Sequence, residues 1–347
     1  MDIQKIINSL ENIKTKTITV FGDYCLDKYL YIDPERDELS LETGLVAYQA
    51  KKKALFPGAG GTVVNNLRAL GVQVLCVGLL GDDGEGYELL KGLNQTGADT
   101  KYMVQSKDLI TSTYVKPMRG KPGEVYTEMN RIDIRGFAET TKELEDRLIT
   151  NLEKAIAVSD GILVIEQFLE RNCYAITDRI REKLAELASI NPQKVFYADS
   201  RGFTDCYKDI IIKCNQFELE KAVGNGSVRN NSKSNELINN DELISNGKKL
   251  LSYNGRAVIV TLGADGAYVF ENDEVTAVDP FIVEGPLDIV GAGDSTSAGI
   301  VLGQTLGLTL PEATMLGGCI SSITIQQLGV TGTASVKQVK ERLKEKL

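Results

Sequence analysis

Short apolar segments alternate with amphipathic segments along most of this chain. The apolar segments have the length and composition of buried strands, and they cover 17–22, 73–78, 161–165, 195–198, 210–213 and 256–261. The amphipathic segments carry apolar residues at helical spacing, and they cover 3–10, 63–70, 82–96, 143–158, 172–189, 242–253 and 311–327. Because strands that alternate with helices form parallel sheets covered by helices, the pattern predicts an α/β fold with a mostly parallel central sheet.

Two segments interrupt this alternation, at approximately 27–50 and 111–135. The first has extended stretches of mixed polarity around a charged turn at 33–38. The second has two alternating stretches joined by the turn-forming residues 119–123, which is a typical hairpin pattern. We therefore expect these segments to form strands outside the central sheet. The polar segment 224–236 is interpreted as a surface loop.

The composition is that of a globular protein, and the charge argues against some classes of partner. A chain of 347 residues can bury a large core, and its 42% hydrophobic and 25% charged residues are ordinary values. The formal net charge of −9 argues against broad binding to nucleic acid or anionic membranes. No apolar run approaches the ~20 residues of a membrane span, and the N-terminus lacks the pattern of a secretory signal.

The cysteine and histidine content indicates where the protein is located in the cell and which catalytic groups it can use. The six cysteines are scattered and form no C-x-x-C pair, which favours reduced thiols and a cytoplasmic location. The chain has no histidine, so a His-based triad, a His general base and most zinc sites are excluded. Phosphoryl transfer fits this composition, because it depends on positioning, charge neutralisation and a carboxylate more than on an imidazole.

The segment 287–299 contains the strongest candidate for catalysis. It begins extended, turns at Gly291, Ala292 and Gly293, and then has a helical pattern that begins near Asp294. Small residues at a helix N-terminus let an anion approach the free N–H groups. A carboxylate would compete with that anion, unless Asp294 accepts a proton from a hydroxyl group that attacks a phosphoryl group. The alternative is a glycine-rich turn in which Asp294 is only an N-cap.

Two aspartates follow the first strand, where open α/β sheets usually bind their ligands. Carboxylates of Asp23 and Asp27 at this position can accept hydrogen bonds from sugar hydroxyl groups. The alternative is a solvated loop with a capping Asp.

A second glycine-rich segment, 57–71, leads into the helical pattern at 63–70. Its residues Gly60 and Gly61 would allow a ligand close to the backbone, and Thr62 offers a hydroxyl group beside them. Helix-capping turn chemistry alone is the alternative interpretation of this segment.

Further candidates follow later strands. Asn215 and Glu218 lie one helical turn apart, which suits a shared water shell around Mg²⁺ and phosphate, although the same pattern is a capping box. Thr261, Gly263 and Gly266 follow the strand at 256–261, where a hairpin turn is the alternative.

We also expect three basic residues of the segment 111–135 to have a function in substrate binding. Arg131, Arg135 and Lys116 would place positive charge near the substrate, and a phosphate group on the substrate would explain them. Solvated surface charges are the alternative.

Taken together, these segments resemble the ribokinase-like (pfkB) family of carbohydrate kinases. The segment Asp288–Asp294 is similar to the family signature D-T-x-G-A-G-D, with Ile289 at the usual position of Thr. Thr62 takes the place of the family's substrate-binding Asn when counted back from Leu70 and Gly71, whereas Asn65 takes it when counted forward from the glycines. The run that begins at Gly22 more closely resembles the heptose-phosphate kinase branch. The matching segments, in the family's order, are 22–27, 57–71, 215–218, 261–266 and 288–299.

The resemblance implies a specific architecture. It implies one ribokinase-like domain over 1–347, with three α/β/α layers around a mostly parallel sheet. The segments near 27–50 and 111–135 would form a small β-sheet lid over the substrate, through which two subunits would form a homodimer.

The resemblance also implies a role for each candidate residue. Asp294 would be the general base, and the backbone of Gly291, Ala292 and Gly293 would stabilise the developing charge. Substrate would contact Asp27, Asp23, Gly60, Gly61, Thr62 and Arg131. The nucleotide would lie against Asn215, Glu218, Thr261, Gly263 and Gly266, with Glu218 holding Mg²⁺ through water. ATP is the implied phosphate donor, and activation by a monovalent cation is common in the family.

The resulting prediction is an ATP-dependent phosphotransferase that acts on a hydroxyl group of a sugar or sugar phosphate. A nucleoside kinase of the same fold and a sugar- or nucleotide-binding regulator are the two alternatives. A dinucleotide-dependent dehydrogenase is disfavoured, since the first strand is followed by Gly-Asp-Tyr-Cys-Leu-Asp and not by G-x-G-x-x-G.

Overall fold

The computed structural model describes residues 1–121, 123, 125–224 and 240–347. In chain order, the strands are β1 (Thr17–Gly22), β2 (Tyr24–Ile32), β3 (Glu38–Leu39), β4 (Val46–Ala47), β5 (Ala50–Ala59), β6 (Gln73–Gly81), β7 (Val104–Ser106), β8 (Thr113–Arg119), β9 (Thr127–Glu128), β10 (Ile132–Ile134), β11 (Gly161–Glu166), β12 (Val195–Ser200), β13 (Ile211–Asn215), β14 (Ala257–Thr261), β15 (Ala267–Glu271) and β16 (Glu274–Val278). The α-helices are α1 (Ile3–Ser9), α2 (Gly60–Ala69), α3 (Gly84–Gln95), α4 (Lys142–Ala157), α5 (Asp178–Ile190), α6 (Gln216–Ala222), α7 (Asn240–Asn254), α8 (Ala292–Thr305), α9 (Leu310–Thr324) and α10 (Val336–Lys344). The surface loop expected at 224–236 lies outside the described residues apart from Gly224.

The larger sheet has nine strands in the order β16–β15–β14–β13–β12–β11–β1–β6–β7. Strands β14 to β7 in this order pair in parallel, and β15 and β16 extend the sheet with antiparallel pairs at one edge. The mostly parallel sheet predicted from the strand–helix alternation is therefore confirmed.

Helices cover both faces of this sheet. Successive residues of β11 alternate between two hydrophobic clusters, with Leu163 and Ile165 in one and Ile162 and Val164 in the other. The first cluster also contains the apolar faces of α2, α8 and α9, and the second contains those of α4, α5 and α7. These are the three α/β/α layers, so the predicted fold class is confirmed.

A smaller sheet has the order β10–β8–β2–β5, with β9 paired to β8. Both predicted lid segments contribute strands, but the sheet continues beyond the first of them to Ala59. The glycines from Gly58 to Gly61 predict a flexible turn, but residues 57–59 pair with 24–26 of β2. Gly58 allows this pairing, because a Cβ atom at that position would lie 2.7 Å from Oδ2 of Asp27.

Two predicted helices differ at their starts. The helix expected at 63–70 already begins at Gly60, directly after the strand, so Gly60 and Gly61 are helical. The helix expected at 172–189 begins only at Asp178, because Thr177 caps it by accepting a hydrogen bond from the Ile180 N–H, and Asn172 has a left-handed φ of 63°. None of the helices described is long and apolar enough to cross a lipid bilayer.

Candidate active site

A cavity of about 830 Å³ lies between the two sheets. Its walls include the carboxyl ends of β11, β12 and β13 and the first turn of α8 on one side, and residues 131–135 of the smaller sheet on the other. This position agrees with the rule that open α/β sheets bind ligands at the carboxyl ends of their strands. The predicted residues that line the cavity are Arg131, Arg135, Asn215, Glu218, Gly291, Gly293 and Asp294.

The first turn of α8 carries the glycine-rich motif. Gly291 is the N-cap, with a left-handed φ of 80°. A Cβ atom there would also lie 2.6 Å from Cγ2 of Thr331, so both the backbone conformation and the packing require glycine. The N–H group of Ala292 donates to the carbonyl group of Ile289. Because the first N–H groups of a helix have no partner within the helix, Gly293 and Asp294 direct donors and a partial positive charge at the cavity.

Asp294 is half-buried at the floor of the cavity. Burial and the nearby charge of Asp199 raise the pKa of Asp294 to about 7, against the lowering effects of Lys213 and Arg201. The charge of Asp27 raises this pKa further, which places the two carboxylates near each other. A carboxylate with a pKa near neutrality is suited to accept a proton during catalysis.

Lys213 and Asp199 form an ion pair beside this turn. Nζ of Lys213 lies 2.6 Å from Oδ2 of Asp199, which also accepts a hydrogen bond of 2.7 Å from the Ser297 hydroxyl group. Burial alone would lower the pKa of Lys213, but Asp199 raises it above its usual value and keeps the ammonium charged. A Cβ atom on Gly293 would lie 3.2 Å from Nζ of Lys213, so the ammonium group faces the same space as the helix N-terminus.

Sequence reasoning did not identify Lys213, Asp199 or Arg201 as functional. A signal was present, because Lys213 interrupts the apolar run of a buried strand and lies two residues before Asn215, on the same face. Its partner could not be deduced, since the pairing of Asp199 with Lys213 depends on the register between β12 and β13.

Asn215 and Glu218 form the capping box at the start of α6. The Asn215 side chain accepts hydrogen bonds from the N–H groups of Phe217 and Glu218, and Oε2 of Glu218 accepts one from the N–H group of Asn215 at 2.8 Å. The capping box that is the alternative interpretation of this pair is therefore formed. Both residues also line the cavity, and burial and the charge of Asp199 raise the pKa of Glu218.

The acidic residues of the cavity fit a metal ion that is carried by a nucleotide. Within the described part of the chain, no three Asp, Glu or Cys side chains are grouped so that they could hold a metal ion by themselves. Mg²⁺ is usually held by one or two carboxylates together with substrate phosphates and water, and Glu218 would be such a carboxylate.

The predicted residues Thr261, Gly263 and Gly266 lie next to the cavity and do not line it. Thr261 pairs with Asn215 across β13 and β14, and Gly263 and Gly266 form the turn from β14 to β15 with φ values of 61° and 88°. The hairpin turn that is the alternative interpretation is therefore present. The predicted contact of these residues with a nucleotide stays a prediction.

Asp27 lies in the smaller sheet and is paired with Lys116. Oδ1 of Asp27 is 2.9 Å from Nζ of Lys116, which donates a hydrogen bond of 3.1 Å to the hydroxyl group of Tyr29. Since Lys116 is nearly buried, its charge is oriented by Asp27 and Tyr29 and is not a solvated surface charge.

Asp23 has contacts that differ from the expected contact with substrate. Its carboxylate accepts hydrogen bonds from the N–H groups of Gln167, Phe168 and Ala175, and it is buried outside the 830 Å³ cavity. Burial and the charge of Glu166 raise the pKa of Asp23 to about 7. These contacts hold the segment 167–175 against β1, and the predicted contact of Asp23 with substrate stays a prediction.

Gly60, Gly61 and Thr62 form the first turn of α2, and Thr62 lies beside the glycine-rich turn that begins α8. Thr62 is buried, and its methyl group would lie 3.3 Å from a Cβ atom on Gly291. Asn65, the alternative match to the family's Asn, lies one turn further along α2 and is half-buried. The helix therefore supports the motif of α8, and a contact of Thr62 with substrate stays a prediction.

Arg131 lines the cavity, and its predicted contact with substrate stays a prediction. Its guanidinium group forms two hydrogen bonds with Asp133, of 2.6 and 2.9 Å, and its Cζ atom lies 4.5 Å from the centre of the Tyr114 ring. Arg135 also lines the cavity and donates a hydrogen bond of 3.1 Å to Glu170. Both cations are held by a carboxylate, and they give this side of the cavity two guanidinium groups.

The fold and this arrangement of a helix N-terminus, a carboxylate and a lysine define the chain as a member of a known enzyme family. The model of the pfkB family of carbohydrate kinases matches residues 17–337, so the chain belongs to this family. The family expected from the sequence motifs is confirmed.

The curated relatives of the chain include bifunctional proteins named HldE. The HldE of Hyphomonas neptunium is 26% identical over 340 residues, which are 96% of this chain and 65% of that protein. The HldE of Wolinella succinogenes is 23% identical over 333 residues, which are 94% of this chain and 64% of that protein. The chain therefore spans slightly less than two thirds of the length of these relatives.

Solved structures show the same fold. The ribokinase of Arabidopsis thaliana complexed with ribose and ATP superposes with a TM-score of 0.67 at 17% identity, over 95% of this chain and 98% of that chain. Phosphofructokinase-2 of Escherichia coli in complex with potassium superposes with a TM-score of 0.71 at 19% identity, over the same shares of the two chains.

Proposed function

We propose that this protein transfers the γ-phosphoryl group of ATP to a hydroxyl group of a sugar or sugar phosphate. The observation that carries the proposal is Asp294, a half-buried carboxylate with a pKa of about 7 in the first turn of α8 and near the ammonium group of Lys213. A binding protein would have no need of a base among anion-binding groups, so this arrangement favours a kinase over a regulator.

The chemistry follows from groups that face the cavity and from Asp27, which lies near Asp294 without lining the cavity. The acceptor hydroxyl group gives its proton to the Asp294 carboxylate while its oxygen forms a bond to the γ-phosphorus atom. The bond from that phosphorus to the β,γ-bridging oxygen breaks, and ADP leaves with the electron pair. The N–H groups of Gly293 and Asp294 and the Lys213 ammonium group stabilise the negative charge on the transferred group. Asp27, held by Lys116, orients the acceptor.

ATP and Mg²⁺ belong to this proposal. Mg²⁺ neutralises charge on the nucleotide phosphates when it is bound with them. Asn215 and Glu218 would hold its water ligands, and Thr261, Gly263 and Gly266 would border the nucleotide. A cytoplasmic location is also part of the proposal and is supported by six free cysteines.

The positive charge on the wall opposite Asp294 supports a phosphorylated acceptor. Arg131 and Arg135 would bind a phosphate group on the acceptor, because guanidinium groups match the geometry of phosphate oxygens. The resemblance of the segment after β1 to heptose-phosphate kinases supports the same class of acceptor. We therefore expect a sugar phosphate in preference to an unphosphorylated sugar.

The experiment that tests the function is ADP release from Mg-ATP with a panel of sugars, sugar phosphates and nucleosides. We expect acceptor-dependent ADP release, with a lower KM for a phosphorylated sugar than for its unphosphorylated counterpart. Turnover of nucleosides alone would support a nucleoside kinase of the same fold. Thr62 at the position of the family's substrate-binding Asn keeps this alternative open. ATP binding without turnover of any acceptor would contradict the proposal and favour a regulator.

The proposed assembly is a homodimer through the lid segments near 27–50 and 111–135. Within the first segment, β3 and β4 pair with each other as a separate two-stranded sheet. The loop between them exposes a group of apolar side chains, among which Leu41 is 100% and Leu45 is 71% accessible. Such a group is typical of a protein interface. We expect sedimentation equilibrium to give a dimer that Leu41→Lys with Leu45→Lys converts to a monomer. Ile190→Lys, at an apolar position of α5 that is 64% accessible, is the control and should stay dimeric. A wild-type monomer would refute the assembly.

A further inference from the structure

Arg201 lines the 830 Å³ cavity, and the phosphoryl transfer proposed above gives it no role. It directly follows the last residue of β12, and its side chain is exposed. Open α/β sheets bind their ligands at the carboxyl ends of their strands. Arg201 therefore lies at the end of the sheet where the substrates of the proposed reaction would bind.

The backbone of Arg201 is fixed by the neighbouring strand and by Ser200. The N–H group of Arg201 donates a hydrogen bond of 3.1 Å to the carbonyl group of Glu166, the last residue of β11. The Ser200 hydroxyl group donates one of 2.5 Å to the Glu166 carboxylate and accepts one of 3.0 Å from the Phe203 N–H group. These bonds determine where the Arg201 side chain begins, at the edge of the cavity.

The guanidinium group of Arg201 differs from other cations of this cavity, because those are already held by carboxylates. The pairs are Arg131 with Asp133, Arg135 with Glu170 and Lys213 with Asp199. Within the ranges 1–121, 125–224 and 240–347, the Arg201 guanidinium group has no ion pair and no hydrogen bond. An anionic group of a ligand in the cavity would supply its partner.

Two carboxylates indicate which part of a ligand Arg201 would meet. Its charge lowers the pKa of Asp294, the proposed base, and the pKa of Glu218, which would hold the water ligands of Mg²⁺. The charge therefore lies near both groups, although it is paired with neither. During transfer, the γ-phosphoryl group lies between the acceptor at the base and the metal ion on the nucleotide phosphates.

We propose that the guanidinium group of Arg201 binds oxygen atoms of the γ-phosphoryl group of ATP and stabilises their negative charge during the transfer. A planar guanidinium group can donate two parallel hydrogen bonds to a phosphate group. Phosphoryl transfer depends largely on such charge stabilisation, and arginine is a common source of it. Arg201 would then be a catalytic residue beside Asp294 and Lys213. This inference rests on the function proposed above.

Lys221 provides a matched control. It also lines the cavity, and a Cβ atom on Gly202, the neighbour of Arg201, would lie 3.9 Å from Nζ of Lys221. Lys221 is not among the main charges that act on the pKa of Asp294 or of Glu218. A general loss of positive charge at this side of the cavity would affect variants of both residues, but a lost contact with the γ-phosphoryl group would affect only Arg201.

The test is equilibrium binding of Mg-ATP and Mg-ADP without an acceptor to the wild type, Arg201→Gln and Lys221→Gln. We expect Arg201→Gln to raise the Kd of ATP by about tenfold or more, the value of a hydrogen bond to a charged group. The Kd of ADP should change by less than about threefold, because ADP lacks the γ-phosphoryl group. Lys221→Gln should change both values by less than about threefold. Arg201→Lys keeps the charge and should recover part of the preference for ATP.

Turnover and stability complete the test. Arg201→Gln should lower kcat by about 10²-fold, as expected for one charge-stabilising group. Its thermal unfolding should match that of the wild type, because the side chain is exposed and holds no other part of the described chain.

Three results would overturn the inference and leave the proposed function intact. They are equal changes in the Kd of ATP and ADP in Arg201→Gln, equal changes in Arg201→Gln and Lys221→Gln, and a wild-type kcat in Arg201→Gln. ATP binding that depends on Arg201, without turnover of any acceptor, would support the phosphate contact and contradict the proposed function. A wild type that does not bind Mg-ATP would contradict both.

Discussion

Replacement of Asp294 by Asn is expected to lower kcat by about 10²–10⁴-fold, the usual contribution of general base catalysis. The amide has nearly the same shape as the carboxylate but cannot accept the proton of the acceptor hydroxyl group. ATP affinity should stay within a few-fold of the wild-type value, because the donors of the α8 turn are backbone groups. Steady-state kinetics and equilibrium binding of ATP measure the two quantities.

Asp133→Asn is the matched control for this variant. Asp133 also lines the cavity, but it is paired with Arg131 at the opposite wall. The loss of kcat in Asp133→Asn should be at least tenfold smaller than the loss in Asp294→Asn. If Asp294→Asn kept the turnover of the wild type, the carboxylate would be an N-cap only and the proposed mechanism would be wrong.

The Lys213→Met variant is expected to lose about 10²–10³-fold in kcat, as is typical when one charge-stabilising group is removed. The loss has two sources. The transferred phosphoryl group loses its nearest cation, and the pKa of Asp294 rises above about 7 when the lowering effect of Lys213 is removed. The variant should therefore also need a higher pH for its maximal rate.

Controls for the Lys213 variant separate catalysis from folding. Removal of Lys213 alone leaves Asp199 as a nearly buried charge without its partner, so the free energy of unfolding should fall. The double variant Lys213→Met with Asp199→Asn should recover stability but not kcat. Lys221→Met removes another lysine that lines the cavity and should change kcat only a few-fold. Equal losses in the two lysine variants would contradict a specific role of Lys213.

The sequence predicted those parts of the structure that depend on local patterns. Hydrophobic periodicity predicts strand β1 and helix α9. The glycines before α8 predict its turn, where Gly291 has a left-handed φ of 80°. The start of α5 was placed six residues too early, because apolar spacing continues into 172–177 while the cap at Thr177 determines the start.

The parts that were missed depend on pairing between distant segments. Residues 57–59 have a turn-like composition, but their pairing with β2 makes them a strand. Asp23 has the sequence position of a ligand-binding carboxylate, and its hydrogen bonds to N–H groups about 145 residues later could not be deduced from that position. The ion pair of Lys213 with Asp199 likewise depends on sheet register, which a single sequence does not specify.

The central claim is that Asp294 accepts a proton with a pKa that the charges of this cavity determine. The most direct measurement is the pH dependence of kcat/KM for the wild type, Asp199→Asn and the control Asp133→Asn. The wild type should lose activity as the pH falls through about 7, because the protonated carboxyl group cannot act as a base. The charge of Asp199 raises the pKa of Asp294, so Asp199→Asn should move this loss to lower pH, and Asp133→Asn should leave it unchanged. A wild-type profile without a group that titrates near pH 7, or the same profile in Asp199→Asn, would contradict the assignment of Asp294 as the base.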